Sequence, residues 1–579
     1  MIARLRMSLA ATERALVDDV VERATAERWA ERLFDRDTSL WTDDPDVAAD
    51  IADRLGWLDA PAHFTLQVPA LEGFGDGAMK AGFDNAVVMG MGGSSLAPDV
   101  LYRTFGRSEG YLGLRVLDST DPAAVGAAID DLDPLETLWI VASKSGTTTE
   151  PLAFMADAWS RVEAELGARD ADQKPGEFFA AITDPGRSLE AIPHHDDLRE
   201  RFLNPPDVGG RYAALTYVGL VPASLIGLDL DALLAAASAM LGACREPDAG
   251  VNPGLQLGLA MGALARAGRD KLTFLTDPTI ASFGAWVEQL IAESTGKHGA
   301  GIVPVDGEPL RAAKAYASDR VFVAMSVAGS EGGDAANLAD ALERGGQPVI
   351  RIEIDDPIDI AGEMVRWEVA TAIAGAVLEV NPFDQPNVEE AKELTRRALA
   401  GATGGTEGAG DDDVASDGDP DPTLDAGGGI DVAGHDEAFL AEILRPMLDQ
   451  LGPPNYIAIQ AFIAPSAEVD AAIARLRVAL AATGSATTAG YGPRFLHSTG
   501  QLHKGGPPTG VFLQLTADHP DDRQIPGWPY SFGRLIDAQA HGDREALRAH
   551  DRPVVHAHLG SNLAGDLATL ERAITRALA

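Results

Sequence analysis

The spacing of apolar residues changes period several times along this chain, and the changes divide it into helix-forming and strand-forming stretches. From residue 1 to about 75, apolar positions recur at helical spacing among charged ones, and Thr42-Asp43-Asp44-Pro45 has the composition of a helix-opening cap. This segment is expected to be helical and to pack around the first core. From Asn85 onward short apolar runs take over: AVVMG, then LRVLD, then TLWIVAS, each followed by a loop and a longer helical pattern. Alternation of that kind predicts a parallel sheet wound with helices. KLTFLTD (271–277), RVFVAMSVAG (320–329) and PVIRIEID (348–355) begin a second series of the same kind.

The expected fold class is therefore α/β, with two tandem doubly wound parallel-sheet domains over residues 76–250 and 251–400, after an N-terminal helical segment (1–75). Residues 401–435 hold only scattered bulky apolar residues among Gly, Asp and Pro, too few to bury a core, and are expected to form an acidic disordered linker or a long exposed loop. Beyond it, YIAIQAFI, AEVDAAIARLRVALAA and GVFLQLT predict an additional C-terminal α/β segment (436–579). It reads equally as a third small domain or as an extension of the second sheet.

Charge narrows the range of partners. The 579 residues carry a formal net charge of −42, which argues against nucleic acid and against an anionic membrane surface. A solvated acidic surface of this kind also suits high salt, where screening is short-ranged. An anionic substrate would need a local positive exception. Of the eight lysines, Lys144, Lys297, Lys392 and Lys504 fall inside the motifs described next. No run of about 18 apolar residues occurs and the first residues lack a signal-peptide pattern, so a cytoplasmic protein is expected. Cys244, the one cysteine, lies in the apolar run ALLAAASAMLGAC and is expected to be buried and unpaired.

Two loops between strand and helix are candidate anion sites. Gly90-Met91-Gly92-Gly93-Ser94-Ser95 follows AVVM and precedes a helix, where glycines permit close backbone approach and a helix N-terminus offers free N–H groups. A dinucleotide fingerprint would require a glycine where Ser95 stands, although Asp118 does end LRVLD. In the second loop, Ser143-Lys144-Ser145-Gly146-Thr147-Thr148-Thr149-Glu150-Pro151, hydroxyls and turn N–H groups converge after a buried strand. Such a cluster can hydrogen-bond the oxygens of a phosphate monoester with little cationic charge. N-capping and turn chemistry is the alternative reading of these hydroxyls.

On these two loops the chain resembles the phosphoglucose isomerase family, the glucose-6-phosphate isomerases, whose tandem sugar-isomerase domains carry a GxGGS loop and an SK(T/S)xTT loop. The resemblance continues through Val208-Gly209-Gly210-Arg211-Tyr212, through Gln289-Leu290-Ile291-Ala292-Glu293-Ser294-Thr295-Gly296-Lys297, and through Asn381-Pro382-Phe383-Asp384-Gln385-Pro386 with Lys392 seven residues after Gln385. It implies an enzyme that interconverts glucose 6-phosphate and fructose 6-phosphate through an enediolate, without cofactor or metal, as a homodimer. The alternatives are an isomerase that also takes mannose 6-phosphate, and a non-catalytic sugar-phosphate regulator.

Site residues follow from the motif match and from side-chain chemistry. Gln289 and Glu293 are i,i+4 neighbours near the end of a helix whose Phe283, Trp286 and Leu290 form its apolar face. The match makes Glu293 the base, a role suited to a carboxylate with a raised pKa. Arg211, permanently cationic, would stabilise the enediolate. Gly93, Ser94, Ser95, Ser143, Lys144, Ser145, Gly146, Thr147 and Thr148 would bind the phosphate and sugar, with Gln289 and Gln385 orienting hydroxyls. Lys392 is implied to assist ring opening.

The chain departs from the widespread family pattern in having no histidine between residues 299 and 380. The ring-opening acid is expected at His503, then His497, then His298, because the first two lie in Tyr491-Gly492-Pro493-Arg494-Phe495-Leu496-His497-Ser498-Thr499-Gly500-Gln501-Leu502-His503-Lys504-Gly505-Gly506, a polar Gly-rich stretch. That stretch resembles the isomerase half of fused transaldolase–isomerase proteins, although the roughly 80 residues before the first motif are too few for a transaldolase barrel of ~250. His497 and His503 lack the i,i+4 relation and adjoining ligands of a metal site.

Overall fold

Apolar runs buried on both faces decide the architecture. In the computed structural model, which describes residues 4–330, 333–403 and 429–579, the chain opens with β1 (Arg4–Ser8). It continues through β2 (Asn85–Gly90), β3 (Gly113–Leu117), β4 (Thr137–Ala142), β5 (Phe179–Thr183) and β6 (Glu200–Leu203). Strands β2 to β6 make one all-parallel sheet in the order β3-β2-β4-β5-β6. Its central strands β2 and β4 are continuous apolar runs because both faces are covered, and Val87, Val88, Trp139 and Ile140 are wholly buried. The winding reverses direction between β2 and β4. Ligands of open α/β sheets bind outside the carboxyl ends of the strands at such a reversal, and the two candidate anion loops leave from those two ends.

The second sheet contains β7 (Lys271–Thr276), β8 (Val303–Val305), β9 (Arg320–Val327) and β10 (Val349–Ile354), in the order β1-β10-β9-β7-β8. All its pairs are parallel except β1 with β10. Here the expectation of helix from the first residue fails. Arg4–Ser8 alternates Leu5 and Met7 with Arg4 and Arg6, a period-2 pattern, and the open edge of β10 supplies its hydrogen bonds. The helix begins only at Ala11 and runs to Ala26.

The last part of the chain builds a sheet of its own: β11 (Ile430–Asp431), β12 (Tyr456–Phe462), β13 (Ala486–Tyr491), β14 (Gly510–Ala517) and β15 (Val554–Leu559), all parallel, in the order β11-β15-β14-β12-β13. One face is a core of Ile457, Ile459, Leu513 and Leu515 against Leu444, Leu476 and Leu570 from three helices. Most of the Gly/Asp-rich stretch lies outside the described residues. Its tail does not follow the linker expectation, since Ile430 pairs with Ala557 and both Ile430 and Val432 are buried. Those two apolar residues, masked in composition by the glycines around them, are enough to add an edge strand.

The chain divides into two units, the first comprising Met1–Asp118, Ala127–Gln385 and His497–Pro507, the second Ser119–Gly126, Pro386–Leu496 and Pro508–Ala579. The first unit holds two sheets and the second the third sheet. No described helix is long and apolar enough to cross a membrane.

Candidate active site

Glu293 sits at the end of the helix Phe283–Thr295, whose position is set by its core face, its C-terminal glycine and a segment packed against its end. Phe283, Trp286 and Leu290 bury its apolar face. Gly296 ends it, and a Cβ there would come within 2.4 Å of the Leu502 Cα, so only glycine admits the segment His497–Pro507 against the helix end. Gln501 Nε2 then donates to the Gly296 carbonyl at 3.0 Å. The i,i+4 relation works as expected: Gln289 Nε2 donates to Glu293 Oε2 at 3.1 Å and to the His497 carbonyl at 2.7 Å. Gln289 and Glu293 are both buried.

Arg211 leaves the short turn Gly210–Tyr212 and is itself buried. Its Nη1 lies 2.9 Å from Glu293 Oε1. The remaining donors are held in a fork: Nε to Ser294 Oγ at 2.8 Å, Nη1 to Gln385 Oε1 at 3.1 Å, and Nη2 to the carbonyls of Pro382 at 2.8 Å and Asp384 at 2.9 Å. A planar guanidinium suits this arrangement and a lysine could not reproduce it. Tyr212, stacked on Trp57 with ring centroids 5.2 Å apart, walls the cluster, and burial drives its phenol well above the ordinary range. Carboxylate and guanidinium are thus poised in one desolvated space, where removing either leaves the other uncompensated.

The two anion loops differ in what they expose. In the first, Gly92 has φ +53, and a Cβ there would meet the His497 carbonyl at 2.5 Å; one at Gly93 would meet the Gly210 carbonyl at 2.2 Å. These glycines let the loop pack against the elements carrying Gln289, His497 and Arg211. Ser95 is fully buried and its hydroxyl donates to the Gly92 carbonyl at 3.1 Å, a turn contact, while Ser94 lines a small cleft with Lys144, Asp184, Asn204 and Gly210.

The second loop has the stronger anion-binding form. Gly146 adopts φ +67 with a would-be Cβ 1.8 Å from the Ser188 carbonyl. Ser143 Oγ and Thr148 Oγ1 close the turn at 2.9 Å, and Thr147 Oγ1 donates to Ser145 Oγ at 3.0 Å. Ser145 and Thr147 are exposed, and the helix Thr149–Arg169 begins without a side-chain cap. The Lys144 ammonium turns away from these hydroxyls' role: it is held by Asp184 Oδ2 at 2.5 Å and the Pro206 carbonyl at 2.8 Å.

The three candidate histidines differ in their surroundings. His497 Nε2 lies 3.2 Å from Oε1 of the buried Glu150, and its carbonyl is the one held by Gln289. His503 is buried within the short helix Gly500–Gly505, and His298 is exposed with φ 54. Lys392, on the helix Val388–Thr403, belongs to the second unit and is exposed. Sequence reasoning missed Glu150, Ser294 and Lys297 as members of the cluster. For Glu150 the available signal was its place in the first turn after the hydroxyl loop, where an acid also reads as an ordinary helix-dipole residue.

Comparison with known proteins gives a consistent picture. The family model described as phosphoglucose isomerase matches residues 17–307. The glucose-6-phosphate isomerase of Symbiobacterium thermophilum is 30% identical over 402 residues, covering 60% of this chain and 87% of the relative. That of Rubrobacter xylanophilus is 31% identical over 363 residues, covering 54% and 82%. Among solved structures, a hypothetical protein from Thermus thermophilus is similar with a TM-score of 0.57 and 26% identity, over 69% of this chain and all of that one. A glucose-6-phosphate isomerase from Chlamydia trachomatis shares the fold at a TM-score of 0.53 and 19% identity, over 69% of this chain and 89% of its own.

Proposed function

This chain belongs to the phosphoglucose isomerase family, and we infer that it is an aldose–ketose isomerase acting on glucose 6-phosphate and fructose 6-phosphate. The observation that carries this reading beyond membership is the cluster of Glu293, Arg211 and Gln289, a carboxylate beside a fixed guanidinium in a buried space. In the open-chain aldose, the Glu293 carboxylate takes the proton from C2. The electrons of that C–H bond form the C1–C2 double bond, and the C1 carbonyl oxygen becomes negative. Return of the proton to C1, with transfer of the O2 proton to O1, gives the ketose. Arg211 stabilises the oxygen charge of the enediolate because its guanidinium is already oriented before the charge develops.

Ring opening needs an acid at the ring oxygen, and His497 is assigned that role in place of His503. Its Glu150 partner can orient the imidazole, in the way a buried carboxylate serves a catalytic histidine. The phosphate is assigned to Ser145, Thr147, Thr148 and the uncapped helix start beside them, with Gly146 allowing the turn. Family membership also supports a homodimer working in the cytoplasm; a single-chain mass by light scattering would remove the dimer.

The test is an assay of purified protein on fructose 6-phosphate, coupled to detection of glucose 6-phosphate, beside Glu293→Gln. Loss of the base should lower kcat by about 10²–10⁴-fold. Wild-type activity no greater than that of the variant would sink the assignment.

A further inference from the structure

Lys297 has no part in the chemistry assigned so far, yet it is fully buried directly after the helix that carries Glu293. Its ammonium has three donors and three acceptors within reach: the carbonyl of Asn381, the carbonyl of Asp384 at 2.6 Å, and Asp384 Oδ1 at 2.6 Å. Arg211 grips the same loop one residue over, through the carbonyls of Pro382 and Asp384. Inside the loop, Asn381 Oδ1 accepts from the Phe383 N–H at 2.9 Å, which fixes its bend. The Asp384 carbonyl accepts from both cations. The loop ends at Gln385, whose Oε1 meets Arg211 Nη1, the same nitrogen that faces Glu293.

We propose that Lys297 is a positioning residue for the isomerisation: its ammonium ties the loop Asn381–Gln385 down so that Gln385 and the loop carbonyls hold Arg211 in register with Glu293. The chain of contacts runs from Lys297 to Asp384, from Asp384 to Arg211, and from Arg211 to the base. A hydrophobic side chain of equal length would leave the Asn381 carbonyl and the Asp384 carboxylate without this donor, and Arg211 would hold the loop alone. Burying an ammonium costs free energy, so a cation kept here in a chain with so few lysines is informative.

The groups facing the ammonium are Arg211 from its turn, Glu293 from the helix and Asp384 from the loop. Burial, then the like charge of Arg211, bring Lys297 down to about 7 against the pull of Asp384 and Glu293. A neutral amine has one donor fewer, so activity should fall on the alkaline side of neutrality as the clamp loosens.

This inference rests on the isomerase reading, and the experiment separates the two. Wild-type protein is first assayed on fructose 6-phosphate from pH 5.5 to about 9, a range set to bracket the ordinary histidine and perturbed lysine values. Inactive wild-type protein would defeat the isomerase reading itself. With active protein, Lys297→Met is expected to lower kcat about 100-fold, the scale of a small misplacement of catalytic groups. KM should stay within about threefold, and the residual activity should lose the alkaline limb. A kcat within about threefold of wild type, or an unchanged alkaline limb, overturns the proposal. Should Lys297→Met fail to fold, Asp384→Asn decides. Removing the anion that keeps the ammonium charged should move the alkaline limb about one pH unit lower; a limb that stays in place overturns the proposal equally.

Discussion

Replacing Glu150 with glutamine separates charge from shape at His497, the histidine proposed to open the ring. Glu150 is buried, with Oε1 3.2 Å from His497 Nε2. Glutamine has the same length and keeps an oxygen acceptor, so the first turn of Thr149–Arg169 should retain its packing. What changes is the strength of the contact. A hydrogen bond to a charged group contributes about 1.5–3 kcal/mol against about 0.5–1.5 for a neutral one, so the variant loses roughly 1–2 kcal/mol. That corresponds to about a 5- to 30-fold lower rate in any step that relies on a cationic His497. Steady-state kinetics on glucose 6-phosphate should show the loss. An aldose phosphate too short to close a pyranose ring should be isomerised at close to the wild-type rate, because proton transfer at Glu293 does not pass through this pair. Equal loss on both substrates would refute the assignment of His497 to ring opening. His503→Ala, run alongside, should not discriminate between the substrates; if it does and Glu150→Gln does not, the preference for His503 drawn from sequence is restored.

Two further outcomes follow from local geometry and from burial. Gly146→Ala combines a φ of +67 with a Cβ 1.8 Å from the Ser188 backbone carbonyl, which cannot rotate away. Strain and overpacking together should cost about 2–5 kcal/mol in urea unfolding, and KM should rise as the phosphate loop is displaced; wild-type stability and KM would show that the turn is not held as described. In the second unit, burial first, and then the nearby Arg544, bring His556 down to about 3. The unfolded chain therefore binds the additional proton between its ordinary value near 6.5 and about 3, and stability should fall as pH drops through that window. His556→Gln should flatten this part of the urea-midpoint profile, and an unchanged slope would show that another group is responsible.

Much of the first unit is legible in the sequence because its signals are local. AVVMG and the LWIVA of TLWIVAS are continuous apolar runs without polar alternation, as a strand covered on both faces requires, and they became β2 and β4. The pairing of Gln289 with Glu293 needs only helical spacing, and it appears as a direct hydrogen bond. What escaped was tertiary. His497 and His503 are six residues apart in one Gly-rich stretch, and composition cannot say which of them meets a carboxylate. That is decided by Gly92, Gly296 and Gln289, which fit the returning segment by close contact with its backbone.

The least legible part of the site is the one that organises it. Arg211 and Lys297 are both met by backbone carbonyls of Asn381, Pro382 and Asp384; the motif marks this loop, but not that its carbonyls, which any sequence possesses, are what the cations meet. A reading of side chains pairs cations with acids, and in a chain with 88 Asp and Glu it finds too many candidates. Carbonyl dipoles satisfy several of the donors and fix both cations in place without adding a net charge of their own. The acids in direct contact are Glu293 with Arg211 and Asp384 with Lys297, two carboxylates for two cations. With Lys297 in its charged form the four groups balance at rest. When Glu293 accepts the substrate proton it becomes neutral, and the cluster gains one net positive charge in the step that makes the substrate an enediolate with one more negative charge. In the proposed mechanism the proton transfer itself thus creates the field that stabilises its product, and holding Arg211 and Lys297 on carbonyls makes that response available without rearrangement.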